Sequence, residues 1–251
     1  MSEFIVHTIP GSPFARSVLA TLEEKGATYR VVPVPPGTMR SAEHLARHPF
    51  GRVPVLVHDG FWLYETQAIL RYLDRVLEVP ALTPSDPKRA ARMDQVMNIN
   101  DWYLFHGVGN VIVFQRIVAP QLMGQKPDEA AIAAAMPKAR TVFDTLAALL
   151  GEQAFFAGDR ISLADLLVAP AISFFTATPE WAELGAPHAN LVAWLQRMEA
   201  RPSMKATTWE RVAAMAKAHD AKGHCHGRAY PGHPRLGKSK ERRRCPDQAR
   251  A

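Results

Sequence analysis

The alternation of apolar and polar positions sets out the elements of this chain. Phe4 to Ile9 is a short apolar, β-prone run that stops at Pro10-Gly11-Ser12-Pro13, and beyond it Val18, Leu19 and Leu22 recur at helical spacing as far as Lys25-Gly26. The order is strand, turn, helix. Tyr29 to Val34 then reads as a second strand, and a helical crossover between two such short strands makes them parallel. A polar stretch follows, with a helical turn around Ala42 to Arg47. Val53 to Val57 and Phe61 to Tyr64 flank Asp59-Gly60, a dipeptide that suits a tight β-hairpin. From Glu65 to Leu77, residues Ala68, Ile69, Tyr72, Leu73 and Val76 fall on one helical face.

The sequence βαβ followed by ββα is the order of an α/β thioredoxin-like domain, here spanning 1–77. Pro80, Pro84 and Pro87 bar a helix from crossing 78–88, which is read as the linker. Nearly everything after it carries helical periodicity: Arg89 to Val118, Asp128 to Gly151, Leu163 to Phe175, Leu191 to Arg201 and Ser203 to Lys217. An all-α helical bundle over 89–218 is the expected second domain. Within it Ser162 and Asp165 have capping-box spacing, with Ile161 and Leu166 placed as a hydrophobic staple, so Asp165 is read as structural and not catalytic.

Composition narrows the functions open to such a chain. Its 251 residues, 47% hydrophobic, suit one large or two modest domains. No apolar run approaches the roughly 18 residues of a membrane span. Met1-Ser2-Glu3-Phe4 has neither the basic nor the apolar part of a signal peptide, so a cytoplasmic location is expected. The formal charge of +6 is unevenly placed: from His219 onward nine Lys or Arg face three acids, while the preceding residues hold 21 of each. The basic tail, 219–251, is read as a solvated, disordered end, and a nucleic-acid partner is not expected. Both cysteines, Cys225 and Cys245, lie in that tail. Their absence from 1–218 excludes a redox pair, a cysteine nucleophile and a thiolate zinc site there. The His224-Cys225-His226 triplet has residue types able to hold a metal, but so short a cluster beside Gly223 and Gly227 is read as incidental, and no metal is expected.

Four blocks in order carry a resemblance. Pro10-Gly11-Ser12-Pro13-Phe14-Ala15-Arg16, His48-Pro49-Phe50-Gly51-Arg52-Val53-Pro54, Tyr64-Glu65-Thr66-Gln67-Ala68-Ile69 and Ala157-Gly158-Asp159-Arg160-Ile161-Ser162-Leu163-Ala164-Asp165 together resemble a cytosolic glutathione transferase of the serine type, phi-like or a related bacterial class. The likeness covers about residues 4–218. It implies glutathione as co-substrate, a small hydrophobic electrophile as its partner in the reaction, detoxifying conjugation as the activity and a homodimer as the assembly. The same thiolate would also serve peroxide reduction or isomerisation. A transferase-like chain that binds glutathione or a partner without catalysis is a further alternative.

Thiol chemistry explains why such residues belong together. A free thiol has a pKa of about 8.5, so little of it is thiolate at neutral pH and a site must favour the anion. Ser12, between the first strand and a helix, is placed to donate a hydrogen bond to sulfur, with the helix end adding its field. Taken alone, Ser before Pro reads as a helix cap. Arg16 supports the anion or pairs elsewhere. The resemblance implies a cis bond before Pro54 that aims the Val53 backbone at the cysteinyl part of glutathione. Glu65 and Thr66 suit its γ-glutamyl end. Arg40 and Arg52 are the candidates for its glycine carboxylate. In the phi pattern a histidine is expected at Met39 and a glutamine at Arg52, and the chain departs from both. The electrophile is expected beside Phe14 and the first bundle helix, around Trp102, Tyr103, His106 and Phe114, although aromatics at helical spacing are also core residues.

Overall fold

The computed structural model describes residues 3–221, so the basic tail with its His224-Cys225-His226 triplet lies outside the described residues. In chain order the elements are β1 (Phe4–Thr8), α1 (Pro13–Glu24), β2 (Tyr29–Pro33), α2 (Ala42–Arg47), β3 (Val55–His58), β4 (Phe61–Leu63), α3 (Thr66–Val76) and α4 (Pro87–Ile99). The helix that starts with α4 widens into π-helical turns at Asn100–Gly109 and Phe114–Val118, on either side of α5 (Asn110–Val113), and ends in α6 (Ala119–Met123). Then come α7 (Glu129–Leu150), α8 (Leu163–Phe175), α9 (Trp181–Leu184), α10 (Ala189–Glu199), α11 (Pro202–Ala206) and α12 (Trp209–Ala221).

Two of the expected helices differ from their pattern. Helix was expected to stop before Pro120, yet the chain is helical through it to Met123. In the wide turn ahead of it the Ala119 N–H reaches back five residues to the Phe114 carbonyl. Pro120, the second residue of α6, has no N–H to give to the turn before it, and the chain nevertheless stays helical around it. The single helix expected over 203–217 is instead α11 and α12, broken at Thr207, which leaves helical geometry and turns its hydroxyl back on the Ser203 carbonyl at 2.8 Å.

The described residues divide into two compact units, one of residues 3–12, 28–65 and 209–221, the other of 13–27 and 66–208. This line differs from the sequence boundary at 77, because α1 packs on α3, α8 and α11 and so falls with the helices.

In the first unit the sheet has the order β2-β1-β3-β4, with β1 parallel to β2 and antiparallel to β3, and β3 antiparallel to β4. β1 is buried along its whole length. Ile5, Val32 and Val57 form an apolar cluster on one face with Trp62 against it, and the Arg47 guanidinium of α2 stands 5.9 Å over the Trp62 ring. Helix α12 packs on β2, burying Val212 and Ala216, and so covers an edge strand that would otherwise present unpaired backbone.

In the second unit α8 is the central helix, buried from Leu163 to Ile172. Its neighbours include α1, α4 and α10. Phe143 meets Phe175 edge to face at 5.2 Å and Phe156 meets Trp194 at 4.9 Å. Each such fully buried side chain contributes on the order of 1.5–3 kcal/mol. The Ser162–Asp165 capping box opens α8, with the Asp165 carboxylate accepting from the Ser162 N–H at 2.9 Å, its hydroxyl at 2.7 Å, the Phe156 N–H at 3.0 Å and Trp194 Nε1 at 2.8 Å. Burial pushes this carboxyl above the usual range, and the four donors oppose that shift. Among the described residues, no helix is long and apolar enough to cross a membrane.

Candidate functional site

Strand register explains why residues far apart in sequence are gathered. Thr8 at the end of β1 pairs with Pro33 at the end of β2, His7 pairs with Val55 at the start of β3, and Leu63 at the end of β4 pairs with Leu56. The ends of β1, β2 and β4 and the start of β3 therefore share one end of the sheet. Leaving or entering that end are the segments that hold Ser12, Arg40, Arg52, Val53, Pro54 and Glu65.

The backbone there is specialised. Gly11 has φ +83°, and the Ser12 N–H donates to the Ile9 carbonyl at 3.4 Å. Ser12 immediately precedes Pro13, the first residue of α1, and so occupies the capping position of a 12-residue helix. The Val53–Pro54 bond is cis, as is Val79–Pro80 in the linker, which no pattern in the sequence pointed to. Glu65 has φ +69°, left-handed geometry that costs a non-glycine residue on the order of 1 kcal/mol and gathers at ligand-gripping positions. Thr66, buried, opens α3 directly after it.

Arg40 packs against the loop that carries Arg52. Gly51 has φ +62°, and a Cβ there would stand 2.8 Å from the Met39 carbonyl and 3.2 Å from Arg40 Cδ, so the Arg40 stem lies over the residue before Arg52. Both arginines are exposed. The Arg52 carbonyl accepts from His44 Nε2 at 2.8 Å, which fixes the loop from below. His48, also buried, packs against Tyr64 with the rings tilted and their centroids 4.8 Å apart, and has no hydrogen-bond partner on Nδ1. Burial, with the nearby charges of His44 and Arg52, pulls its pKa down to about 4.

Of the residues placed in the second unit, Phe14 meets Phe105 edge to face at 4.4 Å. Phe105 was not distinguishable in sequence from the other aromatics around it. Tyr103 is 61% exposed, and His106 is exposed with Nδ1 at 3.3 Å from Asn110 Nδ2. The two readings of Arg16 separate clearly: its guanidinium holds Glu199 through both nitrogens, at 3.2 and 2.8 Å, and reaches the Met204 carbonyl at 3.1 Å. It is a clamp between α1 and α10.

Similarity to known proteins agrees with this geometry. The family model described as glutathione S-transferase, N-terminal domain, matches residues 11–76, and that for the C-terminal domain matches 111–202. A probable glutathione S-transferase of Oryza sativa subsp. japonica is 34% identical over 202 residues, covering 79% of this chain and 90% of that protein. The chain belongs to the glutathione S-transferase family. Glutathione S-transferase 1 of Zea mays is 33% identical over 78% of this chain and 89% of its own length. A glutathione transferase of Populus trichocarpa has a crystal structure that superposes with a TM-score of 0.74 at 29% identity, covering 85% of this chain and 99% of that one. Among these relatives the transferase is phi-like, with a thioredoxin-like N-terminal domain and a helical C-terminal domain. It conjugates glutathione, its co-substrate, to electrophiles. Among the described residues, no group of three or more His, Cys, Asp or Glu is placed to hold a metal ion.

Proposed function

We propose that Ser12 is the catalytic group of this transferase and that its hydroxyl donates a hydrogen bond to the glutathione sulfur, favouring thiolate over thiol. The observation that carries this reading is the convergence of Ser12, Val53–Pro54 and Glu65 on one end of the sheet, with Ser12 at the start of α1. The positive end of the helix adds to the stabilisation of an anion beside it. The Val53 backbone takes the cysteinyl part of glutathione as an added strand would be taken, Glu65 and Thr66 take the γ-glutamyl end, and Arg40 and Arg52 take the glycine carboxylate. Support for the last pair is that Arg40 lies against Gly51, the residue before Arg52, and that both arginines are exposed.

The electrophile is a small hydrophobic molecule held beside Phe14 and Phe105, with Tyr103 and His106 at the exposed margin. In the reaction the sulfur–carbon bond forms as the leaving group departs with its electron pair, and the thiol proton passes to solvent. Ser12 forms no covalent bond. The transferase works in detoxification in the cytoplasm, as a homodimer, with residues 1–77 as the glutathione-binding domain and 89–218 as the helical domain.

Steady-state kinetics of Ser12→Ala test the assignment. Losing a hydrogen bond to a charged group costs about 1.5–3 kcal/mol, so kcat falls about 10- to 100-fold at neutral pH while KM for glutathione changes little. Turnover equal to that of the parent chain removes Ser12 from the mechanism.

A further inference from the structure

The turn that carries Ser12 is covered by a residue far along the chain. A side chain at Gly11, where φ is +83°, would be strained and crowded: a Cβ there would stand 3.1 Å from Trp209 Cζ3, 3.2 Å from Cε3 and 3.2 Å from Cη2. Near-equal distances to three successive ring atoms mean that Gly11 lies over the face of the benzenoid ring. An approach to the ring edge would bring one atom much nearer than its neighbours. The indole is thus laid flat on the peptide immediately before Ser12.

Helix α12 places it there. Trp209, Val212 and Ala216 fall on one helical face, and α12 packs along β2, the strand beside β1. Val212 and Ala216 are 4% and 6% exposed, as anchors on the sheet should be. Trp209 stands at the end of that face and is 43% exposed. An indole serving only as an anchor would be buried like the two residues below it. Here Gly11, the residue before Ser12, covers one part of the ring, and the side chain as a whole keeps its exposure.

We propose that Trp209 is a specificity-determining residue of the transferase: its open indole surface forms a wall next to Ser12 and selects electrophiles with a flat aromatic ring. This rests on the reading of Ser12 as the sulfur-binding residue. A planar ring stacks on the wall in offset or edge-to-face geometry with its reactive carbon directed at the sulfur, whereas a small alkyl electrophile has no face to offer. Gly11 is the matching half of the device, since a Cβ there would press on the indole from closer than an ordinary van der Waals contact.

Two electrophiles separate this role from a structural one. With glutathione saturating, kcat/KM is measured for chlorodinitrobenzene and for iodomethane in the parent chain, Trp209→Ala and Trp209→Phe. Trp209→Ala lowers the chlorodinitrobenzene to iodomethane ratio about tenfold, the scale of one lost aromatic contact, and the loss appears in KM for the aromatic electrophile. Trp209→Phe, which keeps a flat ring, restores most of the ratio. Equal losses on both electrophiles make Trp209 a packing residue and overturn the proposal, as does an unchanged ratio. The thiolate absorbance of bound glutathione is recorded in parallel. Its absence in the parent chain overturns the assignment of Ser12, while the ratio continues to report on Trp209.

Discussion

His48 shows how a single side chain in this loop shapes stability. Its ring is buried against Tyr64, and burial with the charges of His44 and Arg52 pulls its pKa to about 4 from about 6.5 in an unfolded chain. Between those values the unfolded state binds a proton that the folded state does not. Stability contributed at this residue is therefore full above pH 6.5 and declines as pH falls towards 4. Denaturant titrations across this range should show that slope in the parent chain and a shallower one in His48→Asn, whose side chain does not titrate. Equal slopes would place the titration elsewhere. At the same scale Arg16 and Glu65 mark what sequence can and cannot say. Arg16 was equally compatible with an anion site and an ion pair, because only the fold brings Glu199 to it. The left-handed geometry of Glu65 is imposed by the chain entering α3 and has no signature in residue type.

At the scale of elements, one buried lysine joins several of them. Lys25, just past α1, directs Nζ at Asp74 in α3 at 2.6 Å, at the Leu77 carbonyl at 2.5 Å and at the Pro80 carbonyl in the linker at 2.5 Å, and its side chain is fully enclosed. Burial alone would raise the Asp74 carboxyl, but hydrogen bonds from Lys25, Thr83 and the Leu82 N–H outweigh it and hold the pKa below the usual range. Lys25→Met should leave these acceptors without a donor and cost about 3–5 kcal/mol in chemical denaturation. A loss under 1 kcal/mol would show that the linker is held by other contacts. Element bounds with side-chain punctuation were legible in sequence: Asp128 and Gly151 bracket α7, and Ser162 opens α8. The passage through Pro120 was not, because it depends on a π-helical register that residue types do not encode. Nor was the break at Thr207, which has neither glycine nor proline to announce it.

For the whole molecule, the order βαβ-ββα and the proline linker made the fold class readable, and four motif blocks gave the family. Pairing of β1 with β2 and β3, and of β3 with β4, then accounts for why Ser12, Val53–Pro54 and Glu65 from the first three blocks share one end of the sheet, while the fourth block opens α8. Trp209 escaped notice because its contact with Gly11 joins opposite ends of the chain, and no local pattern links them. The homodimer proposed above predicts a solution mass near twice the 27.8 kDa of the chain in sedimentation equilibrium, and a single-chain mass would contradict it. The central claim concerns the thiolate, and it is tested most directly by ultraviolet titration of bound glutathione in the parent chain and in Ser12→Ala. In the parent chain the thiol should ionise well below the free value of about 8.5, and Ser12→Ala should return it upward by about 1–2 units. Glutathione that titrates at the same pH in both chains would contradict the account.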